Sequence, residues 1–299
     1  YTLNEPIKDG YTFEGWYFEN TYENKLDENT IMNKAYNHTI YAKWKANDYT
    51  ITYDYDGGEG TPQSIGATFN QSIGTLPVAT KEGYTFLGWY YEDTLITDGF
   101  VYNYSKNITI KAKWSVLSYE LLIDPNGGTY DGNVASTKQI VDYGSIVNLK
   151  TPTRLGYVFD GWDITGPAEL NSTKLTIKAG NTKLVAKWIE YAGKLTIKYE
   201  DGVTPDNVID NLGYKNTITV NDPTREGYTF TGWNLVGVDA ILAERTFTMG
   251  TSDAVLTATW VPNTYTYIVK HYQGTNDGKY TLVGADTKED ESLFGTEVT

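Results

Sequence analysis

Only two histidines and no cysteine stand in this chain of 299 residues, so the side chains that perform most enzymatic chemistry are nearly absent. An imidazole or thiolate metal site needs three or four converging ligands. A nucleophilic triad needs its histidine beside a hydroxyl or thiol and a carboxylate. His38 and His271 lie in distant stretches of chain and read as strand or surface residues. There is no nucleophile elbow and no glycine loop with phosphate-cradling spacing. Carboxylates are plentiful, but none recurs at a spacing that sets up paired acid–base work. The run DPNGGTYDGN from Asp124 to Asn133 carries oxygen ligands and glycines that a Ca²⁺ ion could use, and a turn-rich hairpin explains it equally well. LPVAT, from Leu76 to Thr80, resembles a sorting signal by eye but lacks the Thr-Gly pair. Sequons such as those at Asn37, Asn103 and Asn107 matter only where the source glycosylates asparagine. No catalytic, cofactor-binding or metal-binding residue emerges, and no cofactor is expected.

The bulk composition narrows the class further. A net charge of −14 disfavours nucleic acid, which requires a basic face to neutralise phosphates, and anionic membrane surfaces for the same reason. No stretch reaches the roughly 18 apolar residues of a membrane helix, so no membrane insertion is expected in this segment. No secretory leader opens it either, and the chain reads as an interior piece of a longer array. The apolar residues include 26 Tyr, 8 Trp and 9 Phe against 2 Met. Aromatic and β-branched side chains fit a pleated surface, so strands are expected.

The tryptophans reveal the organisation. They stand at 16, 44, 89, 114, 162, 188, 233 and 260, in pairs whose first members are 73, 73 and 71 residues apart. A fixed period of this kind marks a tandem array. The first indole of each pair closes GYTFEGW, GYTFLGW, GYVFDGW or GYTFTGW, and the second closes TIYAKW, TIKAKW, KLVAKW or VLTATW. Pro6, Pro77, Pro152 and Pro223 precede the GY pairs. Modules then read as 1–46, 47–116, 117–190 and 191–262, with a fifth, partial unit at 263–299. The first lacks its opening strands and the last holds only opening strands, YTYIVKHY.

Within residues 47–116, Tyr49, Ile51, Tyr53 and Tyr55 alternate with Thr50, Thr52 and Asp54, the period of a strand with one buried face. In GYTFLGW, Tyr84 and Phe86 share a face. Trp89 falls out of phase with them unless Gly88 forms a bulge that returns it to the core side. Ile110, Ala112 and Trp114 share a face of the last strand, and the small alanine leaves room for two indoles to pack closely. The eight tryptophans, Trp16, Trp44, Trp89, Trp114, Trp162, Trp188, Trp233 and Trp260, are therefore expected as structural core. The variable stretch between paired tryptophans suits either a helical turn or a longer loop. Tyr17, Tyr90 and Tyr91, just after the first indoles, are the candidate binding surface.

The pattern of a strand ending DxxGG, then P…GYxFxGW, then xxYAKW resembles the Listeria–Bacteroides repeat, the type found as the B repeat of internalin-like surface proteins. The resemblance covers residues 1–262. TYTYIVKHYQ, from Thr264 to Gln273, is also similar to the opening strands of mucin-binding-protein modules. Thr259, where other copies have Lys, and Asp201-Gly202 in place of a double glycine depart from the pattern at exposed or turn positions. The resemblance implies mainly β modules with minor α content, β-grasp-like and ubiquitin-related, forming an elongated array. It implies an extracellular place on the bacterial cell surface and no catalytic residues. The function expected is a non-catalytic stalk or spacer of a surface adhesin. The alternative is a module that binds a host glycan or protein through its Tyr-rich edges. The partners expected for the spacer are neighbouring repeats, or identical copies end to end. FGTEVT (Phe294 to Thr299) read into YTLNEP (Tyr1 to Pro6) restores the internal order of YGSIVNLKTP, so head-to-tail joining into a filament is a further expectation.

Overall fold

The computed structural model describes residues 3–31, 35–284 and 288–297. The expected join of residues 294–299 to residues 1–6 therefore lies partly outside the described residues. The chain divides into two compact units. One is Tyr1–Leu122 with Lys138–Leu149 and Ile164–Lys183; the other is Ile123–Thr137 with Lys150–Asp163 and Leu184–Thr299.

The first unit opens with a hairpin of β1 (Tyr11–Tyr17) and β2 (Tyr41–Ala46). One residue later begins β3 (Asp48–Asp54), followed by β4 (Ser64–Thr68), β5 (Tyr84–Tyr91), β6 (Thr94–Ile96) and β7 (Ile108–Val116). These five form one sheet in the order β4-β3-β7-β5-β6. Its two central strands, β3 and β7, run parallel, and all other pairings are antiparallel. The alternation in the sequence sets the faces: Ile51, Tyr53 and Tyr55 are buried, as are Ile108, Ile110 and Ala112, while Thr50, Thr52, Lys111 and Lys113 face solvent. Fully burying a side chain such as Ile51 or Ile110 contributes roughly 1.5–3 kcal/mol each.

Next come β8 (Ser118–Asp124), β9 (Thr137–Asp142), β10 (Ile146–Asn148), β11 (Tyr157–Thr165), β12 (Glu169–Asn171), β13 (Lys174–Thr176) and β14 (Thr182–Glu190). Of these, β10, β13 and β12 make a small three-stranded sheet in the first unit.

In the second unit, β15 (Ala192–Lys198), β16 (Asn207–Gly213), β17 (Thr217–Thr219), β18 (Tyr228–Val236), β19 (Ile241–Ala243), β20 (Thr246–Thr248) and β21 (Ala254–Pro262) build two sheets. The larger is ordered β16-β15-β21-β18, with β15 and β21 parallel; the smaller is β17-β20-β19. Leu195, Ile197 and Leu256 of the first share one core with Phe247 of the second and with Met249. The unit ends with β22 (Thr264–Val269), β23 (Tyr272–Gly274), β24 (Tyr280–Leu282) and β25 (Lys288–Leu293), paired as β22 with β25 and β23 with β24.

Among the described residues there is no α-helix, which corrects the expectation of minor α content and leaves the ubiquitin-like form without its helix. Between the later paired tryptophans the chain forms short strands instead: β6, β12 with β13, and β19 with β20. The reason lies in Thr246-Phe247-Thr248: β-branched threonines flank one apolar residue. Such triplets have period two, and their χ1 stiffness disfavours a helix.

Candidate functional site

Each repeat is built on one bridging phenylalanine. The bulge expected at Gly88 is present as a register shift between Phe86 and Gly88 against β7, and the same shift recurs at Phe13/Gly15 and Phe230/Gly232. It turns Trp89 inward to 2% exposure. The two indoles of a pair do not stack directly, as the small alanine had implied. Phe86 lies between them, its ring 5.6 Å from Trp89 and 5.3 Å from Trp114. Phe13, Phe159 and Phe230 bridge their own pairs at 5.2–5.7 Å in edge-on geometry, which suits the aromatic quadrupole. Trp16, Trp44, Trp114, Trp162, Trp188, Trp233 and Trp260 are half-buried. The second indole of a pair donates its N–H to a carbonyl at the glycine turn: Trp114 to Tyr55 at 3.1 Å, Trp188 to Pro125 at 3.1 Å and Trp260 to Tyr199 at 2.8 Å. A Cβ on Gly58 or Gly128 would overlap the indole that lies there, which explains the second glycine of the turn.

Of the three tyrosines expected as a binding surface, Tyr17 is buried at 8% exposure. Its ring packs edge-on against Tyr22 at 5.5 Å under Lys43, which corrects the exposed placement. The next position along the bulged strand turns inward in this hairpin. Tyr91 is half-buried against Tyr104 at 4.8 Å. Tyr90 is half-exposed with Lys113 Nζ 4.1 Å over its ring.

The acidic turn at residues 124–133 is held by its own bonds. Asp124 accepts from the Asn126 amide, Asn126 Nδ2 donates to the Ala186 carbonyl, and Asp131 pairs with Lys150. His38 is exposed beside Phe18, with Nδ1 3.1 Å from the Tyr36 carbonyl oxygen, and His271 is exposed. Burial, aided by neighbouring Tyr55, pushes the Tyr53 phenol up to about 12. Burial, then Tyr49, Tyr91 and Tyr104, pushes Tyr102 to about 12 as well.

What the structure assembles repeatedly is a joint. A single residue separates the last strand of one repeat from the first strand of the next: Asn47, Leu117, Tyr191 and Asn263. Each linker amide donates to the carbonyl of the glycine in the preceding GY pair, Gly10, Gly83, Gly156 or Gly227, at 2.8–2.9 Å. Each linker carbonyl accepts from the amide of an aromatic residue further along, Phe69, Tyr143, Tyr214 or Phe294, at 2.8–2.9 Å. That aromatic ring lies where a glycine Cβ would be. The glycines are buried with φ of +73 to +78°, so both the backbone and the space require glycine. Lys8, Lys81, Arg154 and Arg225 sit 3.8–4.6 Å over the tyrosine rings of the same GY pairs, Tyr11, Tyr84, Tyr157 and Tyr228. Three of these cations also donate to a turn carbonyl, Lys81 to Asp56, Arg154 to Asn126 and Arg225 to Glu200. The motif [KR]-x-G-Y carries the cation openly in the sequence. The ring is less legible, because it follows its linker by 22, 26, 23 and 31 residues.

All-β repeats tied strand to strand by one recurring joint define a tandem array of like units. The Listeria-Bacteroides repeat domain matches residues 1–43, 49–113 and 119–187, and the chain belongs to that family. Residues 200–264 match the divergent InlB B-repeat domain. A membrane protein of Evansella cellulosilytica is 30% identical over 276 residues, covering 86% of this chain and 40% of the relative. A Gly-rich membrane protein of the same organism is 29% identical over 273 residues, 87% of this chain and 30% of its own length. Internalin H of Listeria monocytogenes is 38% identical over 135 residues, 43% of this chain and 23% of the relative. The chain thus spans less than half of each of these proteins. Repeats of this kind are typical of bacterial surface proteins such as internalins. Among the described residues no helix is long and apolar enough to cross a membrane.

Proposed function

We propose that this chain is a non-catalytic, extracellular spacer of a bacterial surface protein, with residues 1–46, 47–116, 117–190 and 191–262 as its modules. One observation carries the reading: the joint of linker amide, glycine carbonyl and seated ring occurs four times with the same partners. In an array that couples each repeat only to its neighbours, stability and length become sums over repeats and interfaces. A one-residue linker pinned at both its amide and its carbonyl has little freedom to swivel, so a repeat added to the array adds a fixed length. A glycan platform is less well supported, because Tyr17 is buried and Tyr91 packs on Tyr104. The test is small-angle X-ray scattering on this chain and on a chain in which residues 47–116 are duplicated in place. The spacer reading expects the maximum dimension to grow by one constant increment per repeat. An unchanged maximum dimension would contradict it.

A further inference from the structure

We propose that the repeats at residues 47–116 and 191–262 are mechanical clamps, in which the parallel seam between the first and last strands resists tension applied along the chain. This deepens the spacer reading and rests on it for its purpose, but the geometry behind it is independent. In residues 47–116 the entering strand β3 and the leaving strand β7 lie side by side and parallel, with Ile51, Thr52, Tyr53 and Asp54 opposite Ile108, Thr109, Ile110 and Lys111. In residues 191–262 the seam recurs between β15 and β21, from Leu195 opposite Ala254 to Lys198 opposite Thr257. Tension draws the start of the first strand and the end of the last strand in opposite directions. Because the two strands are parallel neighbours, that motion slides one along the other. The evenly spaced bonds of a parallel ladder are then strained together, whereas strands peeled apart from one end lose them one at a time.

Four further features fit this load path. Thr50 donates its amide to Asn107 Oδ1 across the seam, at 2.9 Å, just before the paired stretch. Lys111 of β7 reaches back to Asp56 at 2.7 Å and to Asp54 of β3 at 3.9 Å. Ile51, Tyr53, Ile108 and Ile110 bury the seam's inner face, so water cannot readily replace a strained bond. The joint adds no slack beyond the seam, because Leu117 alone connects β7 to β8 and both its amide and its carbonyl are bonded.

The absence of cysteine makes the experiment direct, since two introduced thiols become the only attachment points. In optical-tweezer pulling of the full chain, Lys45→Cys with Ser118→Cys loads the seam along its strands. Glu82→Cys with Ser118→Cys peels the antiparallel β5–β7 pair from one end. Rupture should release at most roughly 250 Å in the first geometry and roughly 125 Å in the second, from the reach of an extended chain. The clamp requires a several-fold higher rupture force in the first geometry than in the second. The Tyr53 amide bonds to Gln63 on the β4 side, so the alternate amide of Thr52 faces β7. Thr52→Pro should therefore lower the first force several-fold and leave the second nearly unchanged. If that variant fails to fold, the comparison of directions in the otherwise unaltered chain still decides. Equal forces in both directions would overturn the clamp and leave the spacer reading intact. A scattering length that does not grow with repeat number would do the reverse.

Discussion

Replacing Gly83 with alanine probes the joint at its tightest point. The residue is buried at φ +77°, and a Cβ there would overlap the Tyr143 ring. The left-handed backbone costs an alanine about 1–2 kcal/mol. Moving the ring forfeits its edge-on contact with Tyr84, 5.8 Å between centroids, worth about 0.5–1.5 kcal/mol. It also strains two backbone bonds, Leu117 N–H to Gly83 O and Tyr143 N–H to Leu117 O, each worth about 0.5–1.5 kcal/mol net. The coupling lost between the flanking repeats is then about 1.5–4.5 kcal/mol, beyond the backbone strain. At 1.4 kcal/mol per decade, that weakens the coupling about ten- to a thousand-fold. Gly144 supplies the control, since it also has φ +77° but faces open space, so Gly144→Ala carries the strain alone. Urea unfolding followed by tryptophan fluorescence should show the Gly83→Ala transition splitting into separate phases and falling below Gly144→Ala by that margin. Equal midpoints for the two variants would refute the seating of Tyr143 on Gly83.

Other outcomes follow from the same geometry. Trp89→Ala empties the best-buried indole site and should destabilise its repeat by about 3–5 kcal/mol, read as an early transition in chemical denaturation. Arg225→Met removes the bond to the Glu200 carbonyl and the stacking over Tyr228; about 1–2 kcal/mol should be lost, measured by the urea midpoint. Tyr53 and Tyr102 keep their protons in the folded state up to about 12, whereas an unfolded tyrosine ionises near 10. Because the folded values are raised, their contribution is fully present below about pH 10 and is lost between about pH 10 and 12. Each tyrosine accounts for roughly 2–3 kcal/mol of that loss, so Tm should fall steeply over this window, and less steeply in Tyr53→Phe.

The repeat period, the bulge glycine and the buried alternation of β3 and β7 were legible because each is a local pattern: a spacing, a Gly in a strand, a period of two. The bridging role of Phe86 was not, because it depends on which ring the bulge leaves between the indoles, and the small Ala112 pointed to direct stacking instead. The short strands between paired tryptophans, left open between a helical turn and a longer loop, were not legible for a related reason. Strands of three residues are too short to establish a period, so Thr217–Thr219 and Thr246–Thr248 gain their identity from pairing with each other. The burial of Tyr17 arises from a packing partner, Tyr22, in the variable stretch. The joint was half visible. The cation before each GY keeps a constant offset, but the ring that completes the joint arrives through the next repeat's turn, whose length varies.

The repeats fold as β units and are fastened at their single-residue linkers. Site-resolved hydrogen exchange on the whole chain tests this most directly, because exchange reports the free energy of local opening. Amides of Leu117, Tyr143, Tyr191 and Tyr214 should exchange as slowly as the paired residues of β5 and β7 or of β18 and β21. Exchange of those four at the rate of an unstructured peptide, while the sheets stay protected, would mean independent beads on a loose string and would contradict the account.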